Sequence, residues 1–414
     1  MSARIFALLL LLSTGALQAR EPIPAPPQQG KGERARDLGI PFDGAPGALN
    51  AITDVPGVEV GYTTLVSGDG KLEQGQGPVR TGVTVVIPRG RDSMNDPVYA
   101  GVFSLNGNGE MTGTAWVEES GFLEGPVALT NTHSVGVVRD ATIEWRVKHG
   151  AADNTGYWWS LPVVAETWDG YLNDVNGFHV KPEDVFHAIE SAHGGAIEEG
   201  SVGGGTAMIC YEFKGGTGTA SRKVSIATDR KSTPRTFTLG VLVQANCGRR
   251  PSLTIAGVPV GKVIRDNAVY SQDTGSIIIV VATDAPLLPN QLKRLARRAS
   301  MGLARTGSFS GNGSGDLFIA FSTANPKVAN PDQITHTVET IPNDLLDPVF
   351  EGVVQATEEA IVNALVDQHP IAETKDAWQT DAKTGMRSFV GRDGHKVDAL
   401  PHDRVRELMK QRKP

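Results

Sequence analysis

The sequence predicts a layered α/β protein in which helices cover the outer faces of β-sheets. Three observations carry this expectation. Short β-branched runs bounded by Gly, Pro and Asn recur along the chain, and several are apolar on both faces, as strands covered on both sides must be. Amphipathic segments alternate with them and can supply that cover. With 40% hydrophobic and 21% charged residues over 414 positions, the chain can bury a large core.

In chain order, Arg4 precedes an apolar run from Ile5 to Leu12 that ends in small residues up to Ala19. This reads as a signal peptide over 1–19, too short to span a bilayer comfortably, so an exported protein, periplasmic or secreted, is expected. Residues 20–34 form a Pro-rich polar leader with little to pack. A single domain is expected over 35–414, since no repeat or linker divides it. Strands are expected at Gly82–Pro88, Val127–Thr130, Thr236–Val243, Ser276–Thr283 and Asp316–Ser322. Lys181-Pro182-Glu183-Asp184 opens a helix to about Ala192, with Pro and acid where a helix N-terminus favours them and Gly194-Gly195 as the stop. A second helix, Pro289–Ala304, aligns Leu292, Leu295, Ala296, Ala299 and Leu303. The longest runs from Asn343 to about Asp367 and ends before His369-Pro370.

Charge and composition exclude several function classes. Lys plus Arg number 39 against 46 Asp plus Glu, a net charge of -7 with no long basic block. A nucleic-acid partner is not expected, nor a membrane partner once the signal is removed. CxxC and HExxH are absent and the nine histidines lack ligand spacing, so neither a metal nor another cofactor is expected. Gly200-Ser201-Val202-Gly203-Gly204-Gly205-Thr206 could cradle an anion, but without a Lys-Ser/Thr ending or GxGxxG it does not read as a nucleotide site. Cys210 and Cys247 lie in apolar runs and read as two buried thiols, although an exporting route would permit pairing.

Three places could carry chemistry. Gly275-Ser276 stands at the head of the apolar run Ile277–Thr283. A serine exposed there by cleavage of the preceding bond would have its own α-amine beside its hydroxyl, with a reference pKa near 8 suited to a general base. The alternative is a turn serine opening a buried strand. Ser308–Asp316 is dense in glycine, and Ser314 and Asp316, two apart, would share a side if the strand has begun; otherwise it is a polar hairpin loop with Asn-Gly turn chemistry. Asn246, ending the run from Thr236, could aim an amide donor at a developing oxyanion, or be a routine turn residue.

Gly275 to Leu287, Gly311-Asn312-Gly313-Ser314-Gly315-Asp316, Gly240 to Asn246 and Ala35 to Ile40 together resemble the L-aminopeptidase D-amidase/D-esterase family, which also holds the β-peptidyl aminopeptidases. The similarity runs from Ala35 to the region of His395 and His402. It implies a four-layer αββα sandwich resembling the N-terminal nucleophile hydrolases but with different connectivity. It implies a precursor that cuts itself between Gly275 and Ser276 into chains 20–275 and 276–414, assembled as a tetramer of αβ heterodimers. Ser276 corresponds to the nucleophile, Ser314 and Asp316 to the serine and acid near it, and Asn246 to the oxyanion-site asparagine. Asn131, Glu166 and Tyr171 lie in segments resembling the family's substrate pocket. Glu166 would hold the substrate ammonium or else be a surface salt-bridge partner. Asp316 rather than Glu leans towards the D-amidase/D-esterase members over the β-peptide specialists. Substrates would be short peptides, amides or esters with a free amine. The rivals are the ornithine acetyltransferase branch, which uses threonine after its cleavage point, a serine hydrolase built on His133 but lacking a GxSxG elbow, and an exported solute-binding protein.

Overall fold

Strands β1 (Glu59–Ser67), β2 (Val79–Ile87), β3 (Val98–Gly107), β4 (Phe122–Leu123), β5 (Val127–Asn131) and β6 (Val163–Thr167) are followed by β7 (Ile209–Cys210), β8 (Phe213–Lys214), β9 (Gly216–Ile226), β10 (Arg235–Asn246), β11 (Ser276–Thr283) and β12 (Gly315–Ser322). A small three-stranded sheet, β13 (Trp378–Thr380), β14 (Arg387–Val390) and β15 (Lys396–Asp398), lies near the C-terminus. The helices are α1 (Thr114–Ser120), α2 (Val135–His149), α3 (Pro182–Glu190), α4 (Val260–Val263), α5 (Pro289–Arg305), α6 (Asp347–Val366) and α7 (His402–Lys410). These come from a computed structural model that describes residues 32–149, 159–229, 231–269 and 275–412. The expected signal peptide, and the leader as far as Lys31, lie outside the described residues.

The four-stranded sheet has the order β1-β2-β5-β6 and the six-stranded sheet β4-β3-β12-β11-β10-β9. Period-two alternation assigns each strand face to a different layer. Ile278, Val280 and Ala282 of β11 meet Val86, Val127, Leu129 and Val163 of the opposite sheet, while Ile277, Ile279 and Val281 pack under α5 and α6. On the far side, Val83, Val85, Ala128 and Val164 are covered by α2 and α3. The result is the αββα sandwich. Each sheet contains one parallel pair bridged by a helix, β5-α2-β6 and β11-α5-β12, and the other pairings are antiparallel.

The five expected strands appear, with β11 beginning at Ser276. β10 extends three residues beyond the expected end, to Asn246. The longest helix begins at Asp347; Asn343–Leu345 is a separate 3-10 turn before its N-terminal Pro348. Two of the alternatives that the sequence leaves open do not hold. Ser308–Gly313 is not a hairpin loop: it joins α5 to β12, which runs parallel to β11. The Gly203–Gly205 turn does not present an anion cradle: the N–H groups of Gly203 and Gly204 donate to the hydroxyls of Thr64 and Thr84 at 2.8 and 3.1 Å. The glycines there allow backbone to run against β2, since a methyl on Gly82 would lie 2.5 Å from the Gly203 carbonyl oxygen.

One polar knot inside the core joins distant segments. Glu359 on α6 is fully buried and receives Arg36 at 2.7 and 2.8 Å, Arg222 of β9 at 2.7 Å and the Asn50 amide at 2.6 Å. Burial alone would raise its pKa, but these partners hold it below the usual range.

Candidate active site

Three strand ends of the six-stranded sheet meet. Asn246, last in β10, is the register partner of Ser276, first in β11, and Ile277 pairs with Asp316 at the start of β12. The sequence places no bulk where these strands converge. A methyl on Gly275 would lie 2.1 Å from the Asn246 carbonyl oxygen, and one on Gly315 would lie 2.4 Å from that of Asn108. Substituting either glycine therefore requires the backbone to move. The loop before β12 is held by Asn106, whose amide donates to the carbonyls of Ser310 and Gly311 at 3.2 and 2.6 Å.

Ser276 is buried, 6% exposed, and its Oγ accepts the Gly315 N–H at 3.0 Å. Such a contact stabilises negative charge developing on that oxygen. Asp316 Oδ1 accepts the Ser314 hydroxyl at 2.7 Å and the Ile277 N–H at 3.2 Å, and both side chains are buried. A carboxylate and a hydroxyl are thereby fixed beside the serine, although Ser314 lies just outside the strand proper. The Asn246 amide donates to the Trp168 carbonyl at 3.0 Å and its Oδ1 accepts the Ile209 N–H at 2.7 Å. To serve an oxyanion, its Nδ2 must leave the Trp168 carbonyl or use its second proton.

The opposite sheet brings Glu166 to the same place. It is buried near the end of β6, where Oε1 accepts the Glu110 N–H at 2.9 Å and Oε2 accepts the Thr132 hydroxyl. A methyl built on Gly109 would lie 3.2 Å from Glu166 Oε1 and 3.2 Å from Gly315 Cα. Glu166 and Gly315 thus both pack against Gly109, too closely to admit a side chain there. Burial pushes the Glu166 carboxyl up, against the lowering effect of Thr132 and Glu110. A buried carboxylate held this way gains from a cationic partner.

Asn131 ends β5, the strand beside β6 in the same sheet, where it pairs with Thr167. Its amide donates to Thr81 Oγ1 at 2.8 Å and to Asp169 Oδ2 at 2.9 Å. Asp169, pushed up to about 6 by burial, also takes the Asn173 amide at 3.0 Å and anchors the Trp168–Gly170 turn. Tyr171 is directed to the small sheet: its ring stacks on His395 at 4.5 Å, beside the cluster of Leu172, Phe389 and Trp378. His133 is exposed, with its ring 6.1 Å from that of exposed Phe178.

Sequence reasoning missed the Gly315 N–H, the Thr132 hydroxyl, the Trp168 carbonyl and Asp169. Backbone donors and acceptors carry no residue-type signal. An acid directly after Trp168 at the end of an apolar run was the available hint for Asp169. Two surface cavities stand out among the described residues. The larger, about 450 Å³, is lined by Arg222, Glu351 and Gln355, at the Glu359 end of the molecule. The smaller, about 330 Å³, is lined by His133, Trp168, Gly170 and Arg392, and shares Trp168 with the Asn246 contact. Neither is lined by Ser276, Asn246 or Glu166.

Residues 50–378 match peptidase family S58. The chain is 52% identical over 399 residues to the β-peptidyl aminopeptidase BapA of Sphingosinicella microcystinivorans, covering 92% of this chain and 93% of that protein. It is 46% identical over 398 residues to the BapA of Sphingosinicella xenopeptidilytica, covering 92% of each. Among solved structures, the L-aminopeptidase D-Ala-esterase/amidase of Ochrobactrum anthropi, described as a variant of the Ntn hydrolase fold, superposes with a TM-score of 0.80 at 46% identity, over 91% of this chain and 98% of that one. With the αββα layering and a serine-centred site already in place, these similarities make the chain a member of peptidase family S58, a serine aminopeptidase.

Proposed function

We propose that the protein is an exported, self-processing aminopeptidase that uses Ser276 to remove N-terminal residues from short peptides, amides or esters. The observation that carries the reading is the juxtaposition at Ser276: the Gly315 N–H on its Oγ, with the buried Glu166 carboxylate and that same Gly315 both packed against Gly109. In the uncut chain, Ser276 Oγ attacks the Gly275 carbonyl carbon. The C–N bond breaks as the C–O ester forms, and the nitrogen takes the proton. Water then hydrolyses the ester, leaving a Gly275 carboxylate and a free Ser276 α-amine. In turnover that amine takes the hydroxyl proton as Oγ attacks the substrate carbonyl carbon, the C–N or C–O bond to the leaving group breaks as the leaving amine or alcohol receives that proton, and water then hydrolyses the acyl ester, releasing the N-terminal residue and restoring the hydroxyl. The Gly315 N–H, and Asn246 after a shift of its amide, stabilise oxygen charge, while Asp316 with Ser314 orients the strand head at Ile277.

Glu166 binds the substrate ammonium, so a free amine is required. The 52% identity to a β-peptidyl aminopeptidase supports N-terminal β-residues among the substrates, outweighing the lean towards D-amidases drawn from Asp316. Export rests on the pattern of residues 1–19, and the αβ tetramer on the family resemblance. The deciding experiment is mass determination of chain termini in the native protein and in Ser276→Ala. The native protein should give a chain beginning at Ser276; the variant should remain whole and inactive. A variant cut at the same bond would assign cleavage to another protease and remove self-processing.

A further inference from the structure

The two cysteines are the only ones in the chain, and the fold brings them together from positions 37 residues apart. Their Sγ atoms stand 3.3 Å from each other, and both side chains are fully buried. The residues around them are locked in the same place. The Ile209 N–H donates to Asn246 Oδ1 at 2.7 Å, and the Tyr211 N–H donates to the Cys247 carbonyl at 2.6 Å. The backbones carrying the thiols are thus docked on either side of Cys210. On its other flank Cys210 is wedged by Gly215, where a methyl would lie 2.8 Å from Cys210 Cβ.

We propose that Cys210 and Cys247 are a disulfide site, whose bond ties β7 to the end of β10 around Asn246. Bonding needs the sulfurs to close from 3.3 Å to about 2.05 Å, a movement within reach of side-chain rotation with the backbones already docked. The bond forms by exchange with a low-molecular-weight disulfide such as oxidised glutathione. One cysteine thiolate attacks it and releases one glutathione thiol; the other thiolate attacks the mixed disulfide at the protein sulfur, forming the Cys210–Cys247 bond and releasing the second thiol. The protein loses two protons and two electrons, and the oxidant takes them. Since both thiols are buried in the folded chain, the first exchange occurs while the chain folds, and the second thiolate attacks as β7 docks and brings the two sulfurs together. The bond makes covalent the clamp that holds Asn246, independently of whether the chain cuts itself. Both cysteines precede Gly275, so a cut there leaves the bond within one segment.

The test synthesises the full chain cell-free, once with oxidised and reduced glutathione and once with a strong reductant, then denatures and alkylates each product without further reduction. After oxidative folding, neither cysteine should carry the alkyl group, the Cys210 and Cys247 peptides should run as one linked species, and the Tm should exceed that of the reduced protein by several degrees. Cys210→Ser and Cys247→Ser should each leave one alkylatable thiol and abolish the redox dependence of Tm. Both thiols alkylated after oxidative folding, or each carrying glutathione without a mutual bond, would overturn the proposal.

Discussion

Replacing Glu166 by Gln tests the assignment of the ammonium site without disturbing its packing. In the native protein Oε1 accepts the Glu110 N–H at 2.9 Å and Oε2 accepts the Thr132 hydroxyl. Gln can keep the first contact with its carbonyl and donate its amide to the Thr132 oxygen, whose hydroxyl rotates. Shape and hydrogen bonding are retained; the charge is removed. A charge-assisted hydrogen bond at a buried site contributes about 1.5–3 kcal/mol and a neutral one about 1, so losing the charge opposite an ammonium should cost about 2 kcal/mol, roughly 30-fold in kcat/KM. The loss should fall mainly on KM, because the ammonium is bound in ground and transition states alike. Stability should move the other way. Burial raises the Glu166 pKa, so its ionised form is disfavoured in the folded state: the protonated form is the more stable below the unfolded pKa, and that advantage is lost as pH rises through the folded value. At neutral pH, Glu166→Gln should therefore melt no lower than the native protein. The native KM should rise on the acid side as Glu166 protonates, over a range shifted above that of an ordinary glutamate, and the variant should lose that limb. The assay compares alanyl and β-alanyl p-nitroanilides, free and N-acetylated, across pH. A fall below about threefold for the free amines, or an equal fall for the acetylated ones, would refute the reasoning.

Asn246→Ala removes an amide engaged with the Trp168 carbonyl and the acceptor for the Ile209 N–H; kcat should drop about 100-fold, and unchanged kcat in a folded variant would exclude Asn246 from the oxyanion site. His133→Ala should keep kcat/KM within about twofold, because the base is the Ser276 amine; a collapse of turnover in the folded variant would revive the histidine mechanism. Glu359→Ala leaves Arg36 and Arg222 without their shared carboxylate and should destabilise the fold by about 3–5 kcal/mol, read by urea unfolding. The depressed Glu359 pKa adds stability above the unfolded carboxylate range that is lost as pH falls through the folded value, so the native protein should lose that margin on acidification and the variant should not.

Much of this protein was legible in the residues because its signals are local. Ser276–Thr283 and Pro289–Arg305 stand almost where periodicity and the proline place them, since burial on two faces demands an unbroken apolar run and an N-terminal proline fits a helix start. The motifs around Ser276, Asn246 and Ser314–Asp316 identified the family and named the residues that the strand ends bring together. Residue identity could not supply their relations. Which carbonyl holds the Asn246 amide, which N–H reaches Ser276 and how Glu166 arrives from the other sheet depend on backbone groups and on register across strands far apart in sequence. Strands β1, β3, β6 and β9 were not anticipated from pattern, and the glycine-rich turn at Gly203–Gly205 resembled an anion cradle until its N–H groups were found on Thr64 and Thr84. The two cysteines read as separate buried thiols because nothing in either apolar run refers to the other. Only the docking of β7 against the end of β10 sets their sulfurs side by side, a contact between segments 37 residues apart that no local preference encodes.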